Sequence, residues 1–177
     1  RVAAIDRAGK LDPELIPAFF ELGLMGIAVP ERYGGAGGSL MMVTLAVETV
    51  SCVDASSAIL MDVQNTLVHS PITRYGNDAQ RERYLTQLTS RTVGAYALSE
   101  PGSGSDAFGL TTRAVQQGDE WVLTGRKLWI TNGAEAEIYV VFATVDPQAG
   151  YRGITAFIVE RGFPGFAVGK KEDKLGI

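Results

Sequence analysis

The chain has 177 residues, 46% of them apolar and 20% charged, a composition that supports a packed core and excludes intrinsic disorder. The net charge of -4, without a stripe of Lys and Arg, excludes a nucleic-acid-binding surface. The single cysteine, Cys52, excludes an intrachain disulfide, and no Cys/His cluster offers a metal site. No apolar run approaches the roughly 20 residues needed to span a bilayer.

Apolar residues recur at helical spacing over the first half of the chain, which predicts four helices. Asp12 followed by Pro13, and later Ser39, are typical residues at helix N-termini. Pro71 is expected to end the third helix, because proline disfavours helical conformation in the residue before it. The predicted helices cover 13–26, 40–53, 56–70 and a segment that begins at Asn77 or Asp78.

From Thr92 onward the pattern is typical of β-strands, with short runs of Val, Thr, Tyr, Phe and Trp between Gly, Asp and Pro. Residues 117–119, Gln-Gly-Asp, predict a hairpin turn. The sequence therefore favours an α+β fold, with an all-α helical domain over 1–91 and a small antiparallel β-barrel or sandwich domain over 92–177. The six predicted strands cover 93–98, 110–116, 120–129, 138–145, 154–160 and 166–170.

The loop after the first predicted strand is dense in glycine and serine. Residues 96–106 read Tyr-Ala-Leu-Ser-Glu-Pro-Gly-Ser-Gly-Ser-Asp. Glycines let a backbone approach a ligand, and serines add hydrogen-bond donors, a combination suited to a pyrophosphate or a heterocycle edge. The string has no serine at the centre of a GxSxG motif and no Walker lysine. It is therefore interpreted as a ligand-binding loop or as a tight turn.

Two aromatic residues are further candidates for ligand binding. Trp129 lies at a predicted strand end within 127–133, where its indole could pack on a flat heterocycle or belong to the sheet core. Tyr151 lies in a predicted turn beside Arg152 and could cover an anionic ligand. His69, the single histidine, lies in an apolar helix and is interpreted as structural, so no nucleophile triad is predicted.

Together these segments resemble the acyl-CoA dehydrogenase family, and the resemblance covers essentially the whole chain. Residues 96–106 are similar to the family's first signature, 129–133 to its flavin-side strand, and 169–177 to the stretch that leaves its β-domain. At the level of subfamilies, residues 170–177 are as similar to the short-chain enzyme as to the short/branched-chain enzyme. Four other segments are most similar to the short/branched-chain enzyme. Those segments are 53–56, 64–67, 145–147 and 150–155.

The resemblance implies an FAD enzyme that oxidises short or branched acyl-CoA to trans-2-enoyl-CoA and passes electrons to an electron-transfer flavoprotein. It also implies that Ser105 and Tyr151 contact the CoA substrate. The positions that it assigns to the acyl tail are Val63, Gln64 and Leu67. The positions that it assigns to FAD are Tyr96, Ala97, Leu98, Ser99, Glu100, Pro101, Gly102, Ser103, Gly104, Ser105, Trp129, Ile130 and Thr131.

The resemblance further implies that the catalytic base is a Glu in a C-terminal helical domain. This chain is expected to end before that four-helix bundle and to have an incomplete first helix. None of its carboxylates, Glu100 and Asp106 included, matches the base, so we expect no catalytic residue here and an inactive piece.

For the full-length protein the resemblance implies a homotetramer in the bacterial cytoplasm or mitochondrial matrix, acting in fatty acid β-oxidation or branched-chain amino acid catabolism. Two other functions stay open. An acyl-CoA oxidase would use oxygen as its acceptor, and a non-catalytic binding fragment would hold no flavin.

Overall fold

In the computed structural model, which describes residues 2–172 and 174, helices occupy the first half of the chain and strands the second. This confirms the α+β class. The helices are α1 (Val2–Ala8), α2 (Leu15–Glu21), α3 (Leu40–Ser51), α4 (Ala55–Asp62), α5 (His69–Tyr75), α6 (Asp78–Gln80) and α7 (Thr86–Ser90). The strands are β1 (Gly94–Ala97), β2 (Arg113–Gln117), β3 (Glu120–Thr124), β4 (Ile138–Thr144) and β5 (Ile154–Glu160). Of the stretch 169–177, residues 173 and 175–177 lie outside the described residues.

The helix caps explain where two of these helices begin. The Ser39 side chain accepts a hydrogen bond from the Met42 backbone N–H, as predicted for the start of α3. Asn77 caps α6 through a capping box with Gln80, so that each side chain accepts the other residue's backbone N–H. The predicted apolar face of α3 is only partly buried, because Leu45 is 53% exposed.

The third predicted helix does not stop at Pro71. α4 continues through a π-helical segment, Val63–Val68, directly into α5, which ends at Gly76. Proline has no N–H to donate, and its ring needs room against the preceding turn. The π-helical segment ends at Val68, so its wider turn precedes the turn that contains Pro71.

The sheet is mixed, which corrects the prediction of a purely antiparallel one. β4 pairs parallel with β1 and antiparallel with β5, and a single parallel pair, Arg113 with Thr144, joins it to β2. β2 and β3 form the predicted antiparallel hairpin, which turns through Gly118 at a φ of 63°. The long excursion from β1 to β4 supplies the crossover that parallel strands require.

Two predicted strands differ in length or existence. The strand predicted over 120–129 ends at Thr124, because the backbone N–H of Leu128 donates instead to the Ser99 carbonyl (2.9 Å). Residues 166–170 form no strand. Phe166 instead packs its ring on Tyr139, with the centroids 4.5 Å apart.

The hydrophobic core runs across the boundary predicted near residue 91. One cluster joins Met25 and Met61 of the helical part to Ala95 and Tyr139 of the sheet. The second joins Val68 and Leu88 to the opposite face of β4 through Ile138 and Val140. Helices and sheet therefore bury their apolar faces against each other, which fixes the helical residues relative to β1. None of the helices in the described part of the chain is long and apolar enough to cross a membrane.

Candidate functional site

A cavity of about 240 Å³ lies where the π-helical segment Val63–Val68, the end of β1 and residues 129–131 meet. Its walls are apolar on the helix side and carry hydroxyls and backbone groups on the loop side, which suits a flat heterocyclic ligand with a polar edge. The lining residues are Val63, Leu67, Tyr96, Leu98, Ser99, Trp129, Ile130 and Thr131. All eight are positions that the sequence had suggested for cofactor or substrate, so the fold brings together segments that are far apart in the sequence.

A second cavity, of about 280 Å³, contains none of the suggested residues. Its charged groups already pair with their neighbours. Glu160 accepts from Arg83 Nη2 (2.6 Å) and from the Tyr84 hydroxyl (3.0 Å), and Arg161 lies 3.4 Å from Glu137. We therefore assign the site to the first cavity.

The π segment determines which helical side chains reach the cavity. Val63 and Leu67 line it, whereas Gln64, between them in sequence, is fully buried and turned away. The Gln64 amide donates to the carbonyls of Leu88 (2.7 Å) and Thr92 (2.9 Å) and accepts from the Gly94 N–H (2.7 Å). These bonds join α7 and β1 to the π segment, so the Gln64 side chain acts in the fold rather than on a ligand.

Trp129 combines two unusual features beside the cavity. Its side chain is 69% exposed, and its backbone has a φ of 55°, in the left-handed region that bulky residues rarely adopt. A costly backbone conformation that presents a large aromatic ring to solvent is typical of a ligand site. Nearby, Asn132 holds the segment in place, since its amide donates to the carbonyls of Leu60 and Gly94 (both 3.2 Å).

Leu98 and Ser99, at the start of the loop 98–106, line the cavity, and the next residue, Glu100, has a buried carboxylate. Glu100 is 4% exposed and accepts from the backbone N–H groups of Thr111 (2.7 Å) and Thr112 (3.0 Å) and from both threonine hydroxyls. It also accepts from the Lys127 ammonium (2.8 Å). Lys127 donates a second bond to the Leu98 carbonyl (3.0 Å).

These bonds determine the charge state of Glu100. Burial would raise the pKa of the carboxyl, but the hydrogen bonds from Lys127, Thr112 and Thr111 lower it to about 2. Burial lowers the pKa of Lys127, and the Glu100 carboxylate opposes that shift. A carboxylate with so low a pKa, whose acceptor sites are taken by protein donors, is unsuited to abstracting a proton. Glu100 was suggested as a cofactor contact, yet its side chain bonds only to protein.

The remaining loop residues divide between the fold and the solvent. Ser103 is buried and donates its hydroxyl to the Asp106 carbonyl (2.7 Å), whereas Ser105 is exposed. Gly102 and Gly104 have open space where a Cβ would lie, and neither has a positive φ, so the protein's own packing does not require glycine at either position. Glycines in such positions leave the backbone open to close approach by a ligand. Of the other suggested positions, Ala97 is buried in the core and Pro101 is exposed.

Tyr151 is not among the residues that line the cavity. It is 59% exposed in a 3-10 segment, Pro147–Gly153, and its ring packs 5.5 Å from that of Phe108. Phe108 follows Ser105 by three residues, so the two positions suggested for CoA are on neighbouring segments. The Arg152 guanidinium lies 5.5 Å from the Tyr151 ring centroid and adds a positive charge.

Sequence reasoning missed Lys127, Thr111 and Thr112 as residues that shape the site. Their roles depend on a tertiary contact with Glu100, for which the sequence holds no local signal. The nearest hint is an unusual lysine directly before the apolar Leu128-Trp129 pair. Gly125 shows how tight the contact is, since a Cβ there would lie 2.3 Å from the Thr112 hydroxyl oxygen.

The residues that line the cavity fit a flavin in their shape and polarity. An exposed indole at a positive φ supplies one face, aliphatic side chains of the π segment supply a wall, and Ser99 and Thr131 supply hydroxyl donors. Tyr96 is stabilised in the wall by its ring contact with Phe142, with the centroids 4.9 Å apart.

Comparison with known proteins gives matches along the whole chain. Residues 1–92 match the family described as acyl-CoA dehydrogenase, N-terminal domain, and residues 95–177 match acyl-CoA dehydrogenase, middle domain. Over 177 residues the chain is 51% identical to the probable short/branched chain specific acyl-CoA dehydrogenase of Dictyostelium discoideum, covering 99% of this chain and 43% of that protein.

Two solved structures superimpose closely. One, described as the electron transferring flavoprotein of Acidaminococcus fermentans, has a TM-score of 0.95 and 44% identity, over 98% of this chain and 46% of that chain. The other is a glutaryl-CoA dehydrogenase from Mycobacterium smegmatis in complex with FADH2, with a TM-score of 0.89 and 33% identity, over 97% of this chain and 43% of that chain. The chain thus spans less than half the length of these proteins.

Proposed function

The chain belongs to the acyl-CoA dehydrogenase family of oxidoreductases, and from that premise we propose that its full-length protein is an FAD-dependent dehydrogenase of short or branched acyl-CoA. The reaction removes a proton from the α carbon and a hydride from the β carbon of the thioester, giving a trans-2-enoyl-CoA. The similarity to a short/branched chain specific relative supports this choice of substrate. The observation that best supports this proposal is the cavity between Tyr96, Ser99 and Trp129. The residues that line it are the positions suggested for the flavin and the acyl chain.

When bound, FAD supplies the hydride acceptor that amino-acid side chains lack. The protein's part is to position the reactants and to exclude water. Trp129 and Ile130 are the residues that would cover the flavin, and the hydroxyls of Ser99 and Thr131 would donate hydrogen bonds to its polar edge. A structure of a glutaryl-CoA dehydrogenase with FADH2 that superimposes on this chain supports the choice of cofactor.

The substrate is placed by two groups of residues. Val63 and Leu67 form the apolar wall for a short acyl chain, while Ser105 and Tyr151 contact the CoA part, with Arg152 near its phosphates. Gln64 is excluded from substrate contact, because its amide is taken by backbone partners. Glu100 is not proposed as the catalytic base, since its buried carboxylate is paired with Lys127 and holds its charge.

The electron acceptor is an electron-transfer flavoprotein. The superposition on the structure described as the electron transferring flavoprotein of Acidaminococcus fermentans supports that partner. In the same proposal the full-length protein is a homotetramer of the bacterial cytoplasm or mitochondrial matrix, and residues 1–91 and 92–177 are its N-terminal and middle domains. An acyl-CoA oxidase is the alternative that shares these flavin-facing residues.

The visible spectrum of the full-length protein tests the proposal. We expect a purified protein with a bound flavin whose visible band bleaches anaerobically on addition of butyryl-CoA or 2-methylbutyryl-CoA. The corresponding trans-2-enoyl-CoA is the control, because its Cα–Cβ bond is already unsaturated, so it has no hydride to give and leaves the flavin oxidised. Absence of flavin, or a flavin that no acyl-CoA bleaches, contradicts the proposal, and rapid oxygen uptake during turnover identifies the oxidase instead.

A further inference from the structure

Three chain segments meet at the buried Glu100 side chain, which follows the cavity-lining residue Ser99 in sequence. The carboxylate joins its own loop to Thr111 and Thr112, at the start of β2, and to Lys127, just before the Trp129 segment. Only 3% of the Glu100 side chain and 11% of the Lys127 side chain are exposed. Five donors of the protein reach the Glu100 carboxylate, so the fold itself satisfies its charge.

Lys127 connects the two polar walls of the cavity. Its ammonium bonds to the Leu98 carbonyl and to Glu100 on one wall, while Leu128, its neighbour in sequence, donates to the Ser99 carbonyl. Leu98 and Ser99 line the cavity, and Trp129 follows Lys127 by two residues. The width of the cavity between these walls therefore depends on the Lys127 bonds.

We propose that Glu100 and Lys127 are a positioning pair for the flavin, which holds the loop 98–105 and the segment 129–131 at the separation the ring system requires. Neither side chain touches the ligand. This inference rests on the proposed function and deepens it, since it names the residues that set the site's geometry. A buried ion pair fixes a single arrangement well, because either charge left alone in the interior is costly.

Substitution of Lys127 in the full-length protein tests this inference. Lys127→Met keeps the aliphatic stem and removes the bonds to Leu98 and Glu100. We expect the dissociation constant for FAD to rise about tenfold, the change that 1.4 kcal/mol produces, and the visible band of the bound flavin to lose its fine structure as water enters. Lys127→Arg retains the positive charge and is expected to restore most of the affinity.

Two further variants make the result decisive. Arg83→Met removes the exposed ion pair with Glu160 outside the cavity and is expected to leave FAD binding unchanged. If Lys127→Met fails to fold, Glu100→Gln with Lys127→Met removes both buried charges, is expected to fold, and still lacks the Lys127 bonds.

The outcomes separate this inference from the proposed function. Wild-type affinity and an unaltered flavin spectrum in a folded Lys127→Met protein, or in the double variant, overturn the positioning role while the proposed function stands. Failure of the wild-type protein itself to bind FAD overturns the proposed function and the inference with it. Loss of affinity in Lys127→Met with recovery in Lys127→Arg supports the inference.

Discussion

His69 is 2% exposed, and neither of its ring nitrogens has a hydrogen-bond partner within the described residues. Burial lowers the pKa of His69 from 6.5 to about 4, and the Leu88 carbonyl opposes that shift. This carbonyl already accepts a hydrogen bond from Gln64. The histidine is therefore neutral in the folded protein, as its interpretation as a structural residue requires, and protonating it works against the fold.

This pKa predicts an acid-sensitive stability. Because the unfolded chain takes up the proton near pH 6.5 and the folded chain only near pH 4, the free energy of unfolding falls as the pH drops through that window. The total loss from His69 is about 3 kcal/mol. His69→Leu is expected to remove the dependence between pH 6.5 and pH 4, measured as urea midpoints from pH 7 down to pH 2. An unchanged pH dependence in the variant contradicts the prediction.

Glu100 acts in a separate pH window, which serves as an internal control. The pKa of its carboxyl is lowered from 4.5 to about 2, so its stabilising contribution is present above pH 4.5 and is lost as the pH falls toward 2. The His69→Leu variant should retain this lower loss. At the residue scale, the sequence could not reveal either shift, because both arise from burial and from partners distant along the chain.

Strand β1 packs unusually closely on the helices at Gly94. A Cβ at this position would lie 2.5 Å from a Val68 methyl carbon and 2.9 Å from a Leu88 methyl carbon, and both side chains are fully buried. The same glycine donates its N–H to Gln64. The π segment, α7 and β1 therefore meet with no spare volume, which holds Val63 and Tyr96 on the same cavity wall.

Gly94→Ala is expected to destabilise the protein by about 1–3 kcal/mol, because an added methyl group overpacks this contact. Gly162→Ala is the matched control, since a Cβ there meets open space at an ordinary φ, and its expected effect is within about 0.5 kcal/mol. Urea unfolding of both variants measures the difference. Equal stabilities of the two variants would show that the β1 contact is not tight.

The helix and strand boundaries could be predicted where they depend on residues close in sequence. The predictions were wrong where the boundaries depend on tertiary packing. The Ser39 cap, the Asn77 cap and the hairpin turn at Gly118 follow from residue type. The expected stop at Pro71 failed, because the π turn that accommodates the proline depends on packing of the whole α4–α5 helix against β1. The strand expected over 166–170 failed, because Phe166 is taken up by Tyr139 of β4.

At the scale of the whole molecule, the site exists only because helices and sheet share one core. Val63 and Leu67, Tyr96 and Ser99, and Trp129 come from three separate stretches of sequence. Family resemblance indicated each stretch, but the residues that fix their spacing, Glu100 with Lys127 and Gln64 with Gly94, emerge only from the fold. The resemblance assigns Gln64 to the acyl tail, whereas its hydrogen bonds to Leu88, Thr92 and Gly94 could be found only from the fold.

The central claim is that the ring of Trp129 covers a flavin, and the two tryptophans of the sequence provide a matched comparison. Trp121 is 44% exposed on β3, packs its ring 5.6 Å from Phe157 and does not line the cavity. Both can therefore be truncated with modest loss of packing.

The most direct measurement is the dissociation constant for FAD of full-length Trp129→Ala and Trp121→Ala proteins, by titration of the flavin fluorescence. Since an aromatic stacking contact is worth about 0.5–1.5 kcal/mol beyond the area it buries, Trp129→Ala is expected to weaken binding roughly two- to tenfold. Trp121→Ala is expected to bind as the wild type does. Equal affinities for FAD in the two variants, or a loss confined to Trp121→Ala, would contradict a flavin in this cavity.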